Sequence, residues 1–126
     1  MNVEELRNYA LGLGSEVEEK FPFQQFAAAR DVLAFYTHGH MFLFFDINHL
    51  EQVNLKAPPE EIESLKEQHS FIGNPYNCSA KYWIGVDATV APAHLLRSLV
   101  AASYGIVAAG GNKRRRAARA CPPSEV

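Results

Sequence analysis

The stretch Asp31 to Lys56, DVLAFYTHGHMFLFFDINHLEQVNLK, constrains the fold more than any other part of the chain. Val32 to Thr37 and Met41 to Phe45 are two short runs rich in β-branched and aromatic residues. Only His38-Gly39-His40 separates them, which is the pattern of a β-hairpin with a glycine in its turn. A third run, Glu51 to Lys56, follows Asn48-His49. Its alternation of Val53 and Leu55 with Gln52, Asn54 and Lys56 predicts a strand with one buried and one wetter face, whereas Met41 to Phe45 is apolar throughout and reads as a central strand. The remainder of the chain must supply helices to cover this sheet.

On the N-terminal side, Val3, Leu6, Ala10 and Leu13 fall on one face of a short amphipathic helix. Asn2 and Glu5 form a capping-box-like start, and Gly12 and Gly14 provide an end. Val17 to Phe23 reads as an edge strand, because the phenylalanines need cover and Pro22 cannot donate to a ladder; Gln24 to Ala29 is then a connection. After the third run, Pro58-Pro59-Glu60-Glu61 stops the strand and starts a helix, with Ile62, Leu65 and His69 on its inner face. Phe71 to Tyr76 is an apolar loop that turns at Gly73-Asn74-Pro75 and packs on the body. Lys81 to Asp87 alternates Tyr82, Ile84 and Val86 with Lys81, Trp83, Gly85 and Asp87; a strand with tryptophan on its second face has that face covered too. Pro92 opens a last helix whose stripe is Leu95, Leu96, Leu99, Val100, Ser103, Ile106 and Val107. Gly105 weakens it by roughly 1 kcal/mol relative to alanine, and Gly110-Gly111 ends it. Ser103 and Tyr104 are expected to bond to the sheet or line its edge. The order α-β-β-β-β-α-β-α is α+β, an antiparallel sheet with helices packed on one face.

The length of 126 residues suits one domain, 1–111, followed by a basic tail, 112–126, without apolar periodicity and expected to be disordered. Cys78 and Cys121 lie far apart and form no CxxC unit, so a disulfide framework is not expected and a reducing cytoplasm is. The N-terminus has no basic segment followed by an apolar one, and no window of about 18 apolar residues is read elsewhere, so neither export nor membrane spanning is expected. Asn77-Cys78-Ser79, formally a glycosylation acceptor, then reads as a polar turn. Charge is divided unevenly: residues 1–112 hold 7 Lys/Arg against 13 Asp/Glu, whereas residues 113–126 hold 5 basic residues and 1 acidic.

Leu55-Lys56 before a Pro-Glu helix start, Trp83 in a late strand, and Ser103-Tyr104 followed by Val107 together resemble the MmcQ/YjbR family of small bacterial proteins over about residues 1–109. The resemblance implies a frataxin-like (CyaY-like) two-layer α/β sandwich and DNA binding through a double wing of hairpins. Two departures stand out. Pro58-Pro59-Glu60 replaces the Asp-Pro-Glu often found there, removing a capping carboxylate, and Gly105 occupies a position where a larger residue is expected.

For nucleic-acid contact the residues that qualify are Arg30 and Lys56 at strand ends, His38 and His40 at a wing tip, and Lys81 with Trp83, a cation beside aromatics for stacking on bases. Lys113, Arg114, Arg115, Arg116 and Arg119 form the one true basic cluster. The structural alternative is that the turn is only a turn, Trp83 is core and the basic run is a solvated tail. The acidic body is a poor footprint for strong duplex binding.

An enzyme is not expected. His38, His40, His49, His69 and His94 lack metal-ligand spacing, and His38 with His40 would need a carboxylate to hold a metal. Ser79, Ser98 and Ser103 lie in no nucleophile elbow, and Cys78 has no evident histidine partner. Iron, which the frataxin-like fold brings up, would need an acidic first helix; here that helix offers only Glu4 and Glu5, with Glu16, Glu18 and Glu19 beyond it. Neither cofactor nor metal is therefore expected. Two functions remain: a non-catalytic DNA-binding module, with DNA as partner, or a small protein-interaction or ligand-binding domain using the aromatics around Phe71, Tyr76, Tyr82 and Trp83.

Overall fold

The computed structural model describes the backbone of residues 1–117 and the side chains of residues 1–110. The elements in order are α1 (Val3–Leu11), β1 (Glu18–Lys20), a single 3-10 turn (Ala27–Ala29), β2 (Val32–Thr37), β3 (His40–Asp46), β4 (Val53–Lys56), α2 (Pro59–Gln68), β5 (Ile72–Gly73), β6 (Trp83–Val86) and α3 (Ala93–Ala117). The strands form one sheet in the order β1-β2-β3-β4-β6-β5, antiparallel at every pairing. This is the expected α+β architecture.

The hairpin at its centre closes through His38 and Gly39, with φ of 54° and 79°. Two left-handed residues in a two-residue loop match the twist of the flanking strands. The ladder then slips once: Phe35 pairs with Leu43 but Tyr36 with Met41, leaving Phe42 as the extra residue of a bulge. Phe42 and Leu43 both join the buried core. The bulge thus contributes to the unbroken apolar run of β3.

One face of the sheet packs on the helices through Leu33, Phe35, Phe45, Val53, Leu55, Ile84 and Val86, against Leu6 and Ala10 of α1 and Leu96, Val100 and Val107 of α3, all buried. Each such side chain contributes on the order of 1.5–3 kcal/mol of burial, the alanine less. Ser103 fastens α3 to two strands at once, its Oγ donating to the Phe42 carbonyl at 2.6 Å and accepting from the Lys56 amide at 2.9 Å. The capping box of α1 forms as read, with Glu5 N–H on Asn2 Oδ1 at 2.8 Å and Asn2 N–H on Glu5 Oε1 at 2.9 Å. At α2, Pro58 caps without any side-chain bond.

Several expectations change. The edge strand is shorter than Val17 to Phe23, because Phe21-Pro22-Phe23 leaves the ladder and turns, with Phe26 N–H bonded to the Phe23 carbonyl at 3.0 Å. The supposedly wetter face of β4 is buried, with Asn54 at 2 % and Lys56 at 5 % exposure. Ile72 and Gly73, read as loop, add a strand beside β6. α3 does not stop at Gly110-Gly111 but continues to Ala117, carrying Lys113 to Arg116 on helical backbone. A glycine costs a helix only about 1 kcal/mol, and the Lys, Arg and Ala that follow are good helix formers. Arg119 and Cys121 lie outside the described residues. Finally, against the expectation of no window of about 18 apolar residues, Ala93–Gly110 is long and apolar enough by composition to cross a membrane. Alanines raise its hydropathy around the stripe that packs on the sheet.

Candidate functional site

The second face of the sheet bears Val32, Tyr36, Met41, Phe44, Lys56 and Trp83. Two irregular segments rise over it: the approach to β2, with Phe23, Phe26 and Ala29, and the loop Tyr76 to Ser79. Between them lies a cleft of about 580 Å³ whose lining also includes Gly39 and His40 from the hairpin.

The loop wall is held by designated polar contacts. Buried Asn54 accepts the Tyr76 N–H at 2.9 Å and a Gln52 side-chain N–H at 2.8 Å, while Gln52 also donates to the Asn74 carbonyl at 3.2 Å. Gly85 lies beneath: a Cβ there would collide with Gln52 Nε2 and the Asn74 carbonyl. Asn77 takes a φ of 57°, a left-handed turn that asparagine accepts more readily than most residues.

On the cleft floor, Lys56 and Trp83 are register partners across β4 and β6, and the Lys56 ammonium stands 5.8 Å from the indole centroid. Phe44 meets the same indole edge-on, centroids 5.5 Å apart. Trp83 is 4 % exposed, whereas Tyr76 and Phe26 at the mouth are 60 % and 57 % exposed. Burial pushes the Cys78 thiol up to about 11, with Lys56 pulling weakly the other way. With its thiol raised in this way, Cys78 stays protonated at neutral pH and forms a soft part of the wall.

Three further cations are tied to the lining by contact or by position in the chain. Lys20 lies 4.9 Å over the ring of Tyr36 while pairing with Glu18 at 3.5 Å. Exposed Arg30 follows Ala29 of the lining, and exposed Lys81, 5.5 Å over the Tyr82 ring, stands between Ser79 and Trp83 in the chain. Of the residues singled out in the sequence, His40, Lys56 and Trp83 thus line one cleft, Arg30 adjoins Ala29 of the lining, Lys81 is exposed two residues from Ser79 and from Trp83, and His38 is exposed at the turn beside Gly39. Lys113 to Arg116 belong to the far end of α3. Tyr76 lines the cleft, but Phe71 and Tyr82 do not; Phe71 stacks on His69 instead, centroids 5.0 Å apart. Tyr36, Met41, Phe44, Phe23, Phe26 and Cys78 were missed as site residues. Met41 and Phe44 were signalled only by the absence of a polar face on β3, and Phe23 and Phe26 only by their need for cover. Among the described residues no group of three or more His, Cys, Asp or Glu is arranged to hold a metal ion.

The YjbR family model matches residues 15–106 of the chain. The crystal structure of a Deinococcus radiodurans protein with a DUF419 domain superposes with a TM-score of 0.78 at 28 % identity, over 91 % of this chain and 86 % of that one. A Pseudomonas syringae protein of known structure has the same fold, with a TM-score of 0.71 at 20 % identity, over 85 % of this chain and 99 % of that one. No curated protein matches.

Proposed function

The chain belongs to the YjbR family, and from that premise and the cleft we propose that it is a non-catalytic DNA-binding domain. The observation that carries this reading is an aromatic cleft lined by Tyr36, Phe44, Tyr76 and Phe26 above the Lys56–Trp83 pair, with Lys20 over the Tyr36 ring and Arg30 next to Ala29 of the lining. Aromatic faces take bases and neighbouring cations take phosphates, a combination typical of strand-binding grooves. In this reading His38 and His40 form the wing tip, and Lys113, Arg114, Arg115 and Arg116 add phosphate contacts from the end of α3. The net acidity of residues 1–112 limits the number of phosphates engaged and keeps binding weak.

The test is a fluorescence-anisotropy titration of labelled DNA at low and near-physiological salt, with the full chain and with a chain ending at Gly111. Binding by the shortened chain that falls with salt and weakens on Lys81→Glu supports the reading. Binding lost on shortening moves the contact to the basic end of α3, and no binding by either chain overturns the proposal. The second reading, a domain for a small ligand without a nucleic-acid role, is favoured by the cleft volume, which lies in the range of small-molecule sites. It predicts binding that is indifferent to salt.

A further inference from the structure

We infer that the cleft receives an unpaired base, so that the domain selects single-stranded over duplex DNA; this rests on the DNA-binding reading above. The accessible aromatic groups of the cleft, Tyr36 and Phe44 within and Tyr76 and Phe26 at the mouth, line a concave space of about 580 Å³ above Lys56 and Trp83, which are only 5 % and 4 % exposed. A duplex presents phosphates on a convex surface and keeps its base faces inside the stack, so it offers these recessed groups nothing to bind. An unpaired nucleotide presents a flat face at the end of a flexible strand. The lining suits that shape: Tyr36, Phe44, Tyr76 and Phe26 offer aromatic surface over buried Trp83, and stacking tolerates any base because every base has a π face. Tyr76 and Phe26, the large exposed aromatics at the mouth, flank the entry. Lys20, over the Tyr36 ring of the lining, and Arg30, next to Ala29 of the lining, suit the phosphates of one strand running past. The acidic body, with 13 Asp/Glu against 7 Lys/Arg in residues 1–112, disfavours the long two-backbone track that a duplex requires.

Trp83 is the only tryptophan of the chain, so its emission reports on the cleft alone. The experiment titrates the full chain at near-physiological salt with labelled oligothymidylate and with a duplex of the same length, following anisotropy, and repeats it with unlabelled DNA following Trp83 fluorescence. The single strand is expected to bind at least about ten-fold more tightly and to change Trp83 emission saturably at the same midpoint. Tyr76→Ala and Phe26→Ala, both at exposed positions, are each expected to lower single-strand affinity about five-fold or more, the range of one lost base stack, while thermal unfolding and duplex affinity stay unchanged. Equal or tighter duplex binding with Trp83 emission unmoved overturns the inference and leaves the DNA-binding reading standing. Failure of both DNA forms to bind overturns both.

Discussion

Gly105 lies on the exposed side of α3, where an added Cβ would meet nothing within 4 Å. Its backbone is helical, so it carries the entropic cost of glycine without using the freedom that glycine offers. Gly105→Ala is expected to raise stability by roughly 0.5–1 kcal/mol. A urea unfolding series would show this as a higher midpoint at unchanged slope; an unchanged or lower midpoint would mean that this turn of α3 is not held as a helix. Gly39 is the opposite case, since its φ of 79° closes the hairpin. Both glycines could be placed from sequence, one as a turn and one as a weak point in a helix. Single side chains of the cleft were less legible. Cys78 was read only as part of a polar turn, and nothing beside it in the chain announces that burial raises its thiol or that Lys56 lies close enough to act on it.

Among the elements, the pair β4 and β6 with the loop over them builds the site. Asn54 and Lys56 alternate with Val53 and Leu55 and had been assigned a wetter face, yet all four are buried. Alternation reports which side chains share a face; it does not report what lies on that face. Here the loop beyond β5 folds back, and the Tyr76 amide finds Asn54 Oδ1 in place of water. Gly85 is the residue that lets the loop approach so closely. Gly85→Ala is expected to destabilise the protein by about 1–3 kcal/mol, the usual range for overpacking, and to shift Trp83 emission to the red as the loop lifts from the cleft. Emission and unfolding midpoint both at wild-type values would show that Gln52 and Asn74 yield at no cost. The bulge at Phe42 was equally hidden, since an apolar run looks the same with or without an extra residue.

At the scale of the molecule, the segment between α1 and β1 is joined to α3 and to β2 through Glu16, whose carboxylate accepts hydrogen bonds from the Tyr104 hydroxyl and, at 2.9 Å, from Thr37 Oγ1. The Tyr104 bond is the largest cause holding the Glu16 carboxyl below its ordinary range, helped by its own backbone N–H and by Thr37. The same bond raises the Tyr104 phenol. A depressed carboxyl stabilises the fold fully above its unfolded value, near pH 4 to 5, and the contribution disappears as pH falls through the lower folded value. A raised phenol stabilises the fold below about pH 10 and ceases to do so as pH rises through the higher folded value. Glu16→Gln should therefore flatten the acid decline of the unfolding midpoint, and Tyr104→Phe should remove part of both limbs. An acid limb as steep in Glu16→Gln as in the natural chain would show that other carboxylates set it. What the sequence determined by itself is what rests on neighbours in the chain: helix faces at a period of 3.6, the hairpin and its turn, the capping box, and the α+β order that these compose. The cleft was decided by tertiary structure alone, because Phe23, Phe44, Lys56, Tyr76 and Trp83 meet only after β6 pairs with β4 and the loop docks on Asn54. Contacts between residues tens of positions apart depend on strand order and close approach, and local sequence patterns do not encode either.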